Sequence, residues 1–339
     1  MRILFNHNIS GTADLIDLMR RARPDLYVIA THERRDTPIA LAANRLLPEP
    51  FEARLMSPDA YANWLLQIAL AEGAELVVPY RRRDELAEFQ GMFKAQGVRL
   101  LTVADSHTIR LIEDKPSLLA RMQLAEIPTT PFRLFEGAEG YARLRAEGRL
   151  FPDHPGLLCV KPAAGIYGAG FRILHDELPP DTPLSGLSTL DLSDVAFRAL
   201  LATVSQPEPM MLMPFLEGPE RSVDFSCYEG HLLGTVTRVK AKTSQMLFHD
   251  SYGEELAGLI AQTFKLTGVL NLQTIEDASG TQRLMEVNTR ASGGIGMTGL
   301  TNVNLPALLL NALDGPVPDC PARVIGEVCA GRRELFWGV

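Results

Sequence analysis

The N-terminal third of the chain alternates short apolar runs with amphipathic stretches. Ile3–Phe5, Tyr27–Ala30, Leu76–Pro79 and Val98–Val103 are continuous apolar runs of strand length, the pattern of strands buried on both faces. Ala13–Arg23, Asp59–Ala71 and Arg83–Gln96 carry apolar residues at helical spacing between them. Ser57-Pro58 supplies a helix start and Gly97 a helix end. This rhythm predicts a small doubly wound domain with a parallel sheet. Its first strand-to-helix turn, Asn6-His-Asn-Ile-Ser-Gly11, has one glycine. The G-x-G-x-x-G of dinucleotide binders is therefore absent. His7 in that turn is either a ligand contact or a loop histidine.

The pattern changes after Val103. Asp114-Lys-Pro-Ser117 opens a helix with proline in its first turn. Ile127-Pro-Thr-Thr-Pro131 forces an extended exit. Gly137–Glu147 reads as a helix, Leu157–Pro162 as a buried strand, and Pro179–Ser193 as an exposed loop rich in Pro, Ser, Thr and Asp. Met210–Leu216, Arg221–Tyr228 and Leu232–Val239 read as strands, the last two joined as a hairpin at Glu229-Gly230. Asp250–Lys265 is helical. Gly268–Glu276 and Gln282–Asn288 pair across Asp277–Gly280, and Leu305–Leu313 closes the chain as a helix. Segments 1–105, 106–210 and 211–339 are the expected domains.

A net charge of −8 leaves no basic excess to displace nucleic-acid counterions. Arg81-Arg-Arg83, followed by Asp84 and Glu85, reads as a solvated loop and helix start. No apolar run has membrane-spanning length. The N-terminus begins as a strand, without a signal-peptide core. The cysteines at 159, 227, 320 and 329 lack metal spacing and fit free thiols. A cytoplasmic protein with no nucleic-acid or membrane partner is expected.

The chemistry concentrates in Leu284-Met-Glu-Val-Asn-Thr-Arg290. Alternation places Glu286, Asn288 and Arg290 on one face of a strand. A carboxylate and an amide oxygen suit Mg²⁺, which binds hard oxygen ligands and bridges nucleotide phosphates. The neighbouring guanidinium suits a phosphate or an oxyanion. The alternative is an exposed strand face with solvated polar residues. Upstream, Lys161 ends a buried strand and precedes a loop with glycines at 165, 168 and 170. Such a loop lets backbone N–H groups approach a phosphate, or it is a bare hairpin turn. It is not a P-loop, because no Gly-Lys-Ser/Thr ends it. Met213-Pro-Phe-Leu216, with Glu220 after it, offers apolar side chains for a flat base, backbone groups for its edge and a carboxylate for ribose. An ordinary turn between core strands reads the same. Ser292-Gly-Gly294 either admits a substrate carboxylate to its N–H groups or simply turns the chain.

Asp114-Lys115, Val160-Lys161-Pro162 with its glycine loop, Phe215–Glu220, Asn271-Leu-Gln273 and Glu286-Val-Asn-Thr-Arg290 follow one another in the order and spacing of the ATP-grasp superfamily. The resemblance covers about residues 100 to 313. Gln273 with Glu286, Asn288 and Arg290 is most similar to the ATP-binding halves of carbamoyl-phosphate synthase large subunit. Val160–Phe171 and Glu217–Asp224 resemble the stand-alone ATP-grasp group of bacterial tellurite-resistance operons. The resemblance implies a pre-ATP-grasp N-terminal domain followed by a two-lobed ATP-grasp fold, with ATP between the lobes. It implies that Lys115 and Lys161 hold phosphates and that the loop Gly165–Gly170, with Gly168, covers them. It places adenine against Met213 and Phe215, with Pro214 C=O and Leu216 N–H at its edge, and ribose at Glu220. Met213 stands where many members carry an acid. Gln273, Glu286 and Asn288 would bind Mg²⁺ or Mn²⁺, and Arg290 would join Lys161 in stabilising the transferring group.

The implied activity is an ADP-forming ligase that joins a small-molecule carboxylate to an amine (or thiol) through an acyl phosphate, forming a C–N bond in the amine case. Alternatives are a carboxylase- or kinase-like phosphotransfer in the same site and a non-catalytic ATP-binding accessory protein. A Rossmann oxidoreductase is disfavoured by the missing glycine fingerprint. Many superfamily members dimerise, so a homodimer is among the expected assemblies. Arg238 and Lys240, with Lys242, follow a strand and are read either as phosphate or substrate contacts or as a solvated edge. Asp250 is read as a helix cap, and Asn302 and Asn304 as bordering the substrate pocket.

Overall fold

The structure is a computed structural model describing residues 1–165, 169–177, 189–241 and 243–331. Gly168 and Lys242 lie outside the described residues. The chain divides into two compact units. The first comprises Met1–Ile112, Arg221–Gln273 and Val287–Val339; the second comprises Glu113–Glu220 and Thr274–Glu286.

The first unit contains a parallel sheet of β1 (Arg2–Asn6), β2 (Tyr27–His32), β3 (Arg45–Pro48), β4 (Leu76–Pro79) and β5 (Arg99–Leu100), in the order β3-β2-β1-β4-β5. Its core confirms the reading of doubly buried strands. Ile3 and Phe5 pack on one face with Leu15, Ile16 and Met19 of helix Thr12–Ala22. Leu4 packs on the other with Tyr61, Leu65 and Phe93. The order reverses between β1 and β4, where doubly wound sheets leave a crevice at the strands' carboxyl ends. Here Asn6 spans that position. Its side-chain oxygen accepts from Tyr80 N at 2.5 Å and Arg81 N at 3.2 Å, and its amide donates to Arg81 O at 3.0 Å. One carboxamide thus stitches the two strand ends together.

The second unit holds β6 (Arg133–Glu136), β7 (Leu158–Pro162), β8 (Arg172–His175), β9 (Asp191–Ser193) and β10 (Pro209–Pro214), ordered β6-β10-β7-β8-β9. All pairs are antiparallel except β8 with β9. Phe135, Val160, Phe197 and Leu212 form its core with Tyr141. A third sheet contains β11 (Glu220–Tyr228), β12 (His231–Lys240), β13 (Ser244–Phe248), β14 (Gly268–Glu276), β15 (Gln282–Asn288) and β16 (Val328–Gly331), ordered β15-β14-β11-β12-β13-β16. The β11–β12 turn is tight because Glu229 and Gly230 both take positive φ, 48° and 86°, the conformation a two-residue hairpin needs.

Several expectations shift. The stretch expected as one helix over 83–96 is broken: helical turns at Arg83–Leu86 and Gln90–Ala95 flank a tighter turn at Ala87–Phe89. The expected loop ending at Ser193 instead contains β9 and leads into helix Asp194–Thr203, capped by Ser193 Oγ. Part of that expected loop, 179–188, lies outside the described residues. No helix among the described residues is long and apolar enough to cross a membrane.

Candidate functional site

In the second unit, Asp114 accepts from Ser117 N and opens helix Lys115–Leu124. That start fixes Lys115, whose ammonium donates to Gly165 O at 2.7 Å. Lys161 sits near the end of β7, in register with Met211 of β10. Among the described residues its ammonium makes no hydrogen bond or ion pair. Desolvation pushes its pKa below the ordinary value; the nearby Glu286 carboxylate opposes that shift, and Lys115 adds to it. Gly165 has φ 125° and Gly170 φ 77°, values that disfavour any side chain. A Cβ at Gly170 would also meet the Pro162 ring at 2.8 Å.

Strand β10 carries Met213 and Pro214, both buried, and runs out into Phe215 and Leu216. Phe215 N donates to Leu157 O at 2.8 Å. Leu216 N–H has no partner among the described residues, while Pro214 O receives only a weak contact from Cys159 Sγ at 3.7 Å. Those are the two backbone groups expected at the adenine edge. Glu220 begins β11 half-buried, its carboxylate without a hydrogen bond among the described residues.

In the third sheet, Gln273 lies on β14 and Asn288 on β15, the neighbouring strand. Glu286 lies two residues before Asn288 on β15, hence on the same face. These donors are one carboxylate and two carboxamides. Among the described residues no group of three His, Cys, Asp or Glu is placed to hold a metal. Gln273 and Asn288 offer the first unit two neutral oxygens, and a hard cation held by such donors needs anionic ligands of its own, as the phosphates of a nucleotide are. Arg290 follows the strand and donates to Ala291 O at 3.2 Å. It lies near Tyr80, whose phenol pKa burial pushes up against the opposing fields of Arg83 and Arg290 and a bond with Thr12.

Arg238 is not the solvated edge residue of one expected reading. It is only 5 % exposed. Its Nε donates to Asp224 at 2.7 Å, Nη1 to Gln245 at 2.6 Å, and Nη2 to Ser222 and Ser292, each at 2.9 Å. Asp250 does stand at the start of helix Ser251–Phe264, but its carboxylate accepts from Arg221 at 3.1 Å rather than capping the helix. Asn304 caps helix Leu305–Asp314 through Ala307 N, and Asn302 binds Arg323 O and Ile325 N. The Ser292-Gly-Gly294 turn is also internally used: Gly294 N donates to Ser292 Oγ, and a Cβ at Gly294 would overlap the Arg238 guanidinium. Close packing accounts for that glycine.

The arginines at 81–83 are not solvated as expected. Arg81 pairs with buried Glu49 at 2.8 Å, which also accepts from Tyr61 at 3.0 Å. Arg82 bonds Glu85 and lies over the Tyr61 ring, and Arg83 reaches Thr289 O at 3.3 Å. His7, at φ 71°, stacks on His32 with ring centroids 4.4 Å apart. Burial, then Arg81 and His32, lower its pKa to about 4, so the ring is neutral near pH 7.

Residues 206–328 match the family described as ATP-grasp in the biosynthetic pathway with Ter operon. That matched segment takes in β11 to β15 and the Glu286–Arg290 motif. The same fold is found in the biotin carboxylase domain of Hydrogenobacter thermophilus 2-oxoglutarate carboxylase, solved with MgADP, ADP and bicarbonate: 17 % identity, TM-score 0.63, over 96 % of this chain and 73 % of that one. It recurs in an L-amino acid ligase from Bacillus licheniformis (16 %, TM-score 0.62, 92 % and 74 %). It recurs too in N5-carboxyaminoimidazole ribonucleotide synthetase from Thermus thermophilus (15 %, TM-score 0.63, 96 % and 81 %). No curated protein matches the sequence. The residues of these polar networks that the motifs did not single out are Gln245, Glu49 and Tyr61. The signal for such a network was polar residues inside apolar strands, as at Asp224 between Val223 and Phe225.

Proposed function

We propose that this protein is an ADP-forming ligase of the ATP-grasp superfamily, which activates a small carboxylic acid as its acyl phosphate and transfers the acyl group to an amine or thiol. The observation that supports it most is Lys161, a half-buried ammonium near the Glu286 carboxylate that makes no hydrogen bond or ion pair among the described residues. Removing a cation even partly from water is costly, and a polyphosphate is a ligand that would offset that cost.

In this reading Lys115, Lys161 and the loop from Gly165 to Gly170 hold the phosphates. Met213, Phe215, the Pro214 carbonyl and the Leu216 N–H take adenine, and Glu220 takes ribose. Gln273, Glu286 and Asn288 take Mg²⁺, which lowers the repulsion between two anions about to react. The acid's carboxylate oxygen attacks the γ-phosphorus and the bond to the β,γ-bridging oxygen breaks, releasing ADP. The nucleophile then attacks the acyl carbon, loses a proton and expels phosphate. Arg290 stabilises the oxyanion of that second step.

The test is ADP release, measured with Mg²⁺ across amino acids and small acids, each alone and with amines or thiols. Release that requires both an acid and a nucleophile supports the ligase. Release with bicarbonate alone, or tight ATP binding with no turnover under any pairing, overturns it. Glu286→Ala should abolish Mg²⁺-dependent ADP release while leaving thermal unfolding unchanged; a parallel loss of stability would make Glu286 structural instead.

A further inference from the structure

One polar row crosses five neighbouring strands of the third sheet. Gln245 on β13 accepts from Arg238 on β12; Arg238 binds Ser222 and Asp224 on β11; these accept from Asn271 on β14; and Asn271 meets Asn288 on β15. Asp224 is fully buried and Asn271 is 2 % exposed.

The row fixes which way each carboxamide points. Asn271 Nδ2 lies 2.9 Å from Ser222 Oγ, 3.2 Å from Val223 O and 3.1 Å from Asp224 Oδ1. A backbone carbonyl and a carboxylate only accept hydrogen bonds, so the nitrogen belongs on that side. Asn271 Oδ1 then faces β15. The atom of Asn288 that approaches it, at 3.4 Å, must be a donor, which makes it Nδ2. Asn288 Oδ1 is consequently turned to the other side of its carboxamide. Flipping Asn288 would set two oxygens against each other. Arg238 holds Asp224 and so holds Asn271.

We propose that Asn271, anchored by the Asp224–Arg238 pair, is a positioning residue that holds the Asn288 carboxamide with its oxygen turned away from Asn271, in the orientation that ligation of a divalent cation by that oxygen requires. This rests on the reading of Asn288 as a cation ligand. A long, weak bond suffices, because it only has to choose between two orientations of one amide. Partners of this kind commonly change metal affinity by about tenfold to a hundredfold when removed.

The experiment titrates Mn²⁺ into the full chain with saturating ADP, following the free-ion EPR signal, for the wild type, Asn271→Ala, Asn288→Asp and the double variant. A carboxylate presents an oxygen whichever way it turns, so Asp at 288 needs no orienting partner. Asn271→Ala should weaken Mn²⁺ about tenfold or more when residue 288 is Asn, and less than about threefold when it is Asp. Equal losses in both backgrounds, or no loss in either, would overturn the proposal. Should Asn271→Ala not fold, Asn271→Ser keeps a donor for Asp224 but is too short to reach Asn288, and the same two-background comparison applies. A wild type that binds ADP without taking up Mn²⁺ would instead overturn the underlying assignment of Asn288 to the cation.

Discussion

Lys161 in the second unit and Arg238 in the first are both cations set on strands, the one half-buried and the other buried, yet they are treated in opposite ways. Arg238 spends its donors on Asp224, Gln245, Ser222 and Ser292. Lys161 makes no hydrogen bond or ion pair among the described residues; desolvation lowers its pKa, and the nearby Glu286 carboxylate opposes that shift. A guanidinium with a planar fork of donors suits permanent cross-linking, whereas an ammonium is a mobile point charge that shifts its pKa readily. The difference teaches that burial of a charge does not by itself mark a functional site. What separates the two is whether the fold has already occupied the cation's hydrogen-bond donors.

The sharpest way to break this comparison is to remove each charge and compare stability with ligand binding. Arg238→Met strands Asp224 in the core and should cost about 3–5 kcal/mol of folding free energy, read by urea unfolding; an unchanged midpoint would show that the pair is not structural. Arg290→Ala should lower kcat by about 10²–10³-fold, in the range seen when one oxyanion donor is lost, with ATP affinity little changed. Collapse of ATP affinity alone would move Arg290 to the nucleotide. Lys161→Met should weaken ATP by about tenfold to a hundredfold, the worth of one charged hydrogen bond. Unlike Arg238→Met, it should leave the urea midpoint unchanged or higher. The smallest effect concerns pH. Because folding lowers the Lys161 pKa, the unfolded chain binds more protons between that lowered value and the ordinary 10.5. Lys161 should therefore make stability rise with pH across that window, and this contribution should vanish in Lys161→Met. Unfolding midpoints measured across the window in both proteins check the sign.

Much of the fold was legible because local pattern and tertiary demand agree. Gly268–Glu276 and Gln282–Asn288 appear with the expected bounds. The Glu229-Gly230 turn was readable from Gly230, whose residue type favours the positive φ observed. Disagreement begins where long-range partners decide. Arg81 looked solvated because Glu49, which neutralises it, is 32 residues away in sequence. Helix Asp194–Thr203 follows a stretch of loop-forming residues that masked its start, although Ser193 is an orthodox cap. The polar row from Gln245 to Asn288 was hidden for another reason. Each member sits singly on its strand and acquires meaning only when five strands lie side by side.

The glycines after β15 carry a consequence for how this scaffold can diverge. Side chains added at 293, 296 or 299 would collide with Ser10, Asp14 or Leu18, and one at 294 with Arg238. Ser10, Asp14 and Leu18 present side chains that can turn aside, whereas Arg238 is tied down by four hydrogen bonds. A directed-evolution library that randomised this segment should therefore recover glycine most strictly at 294.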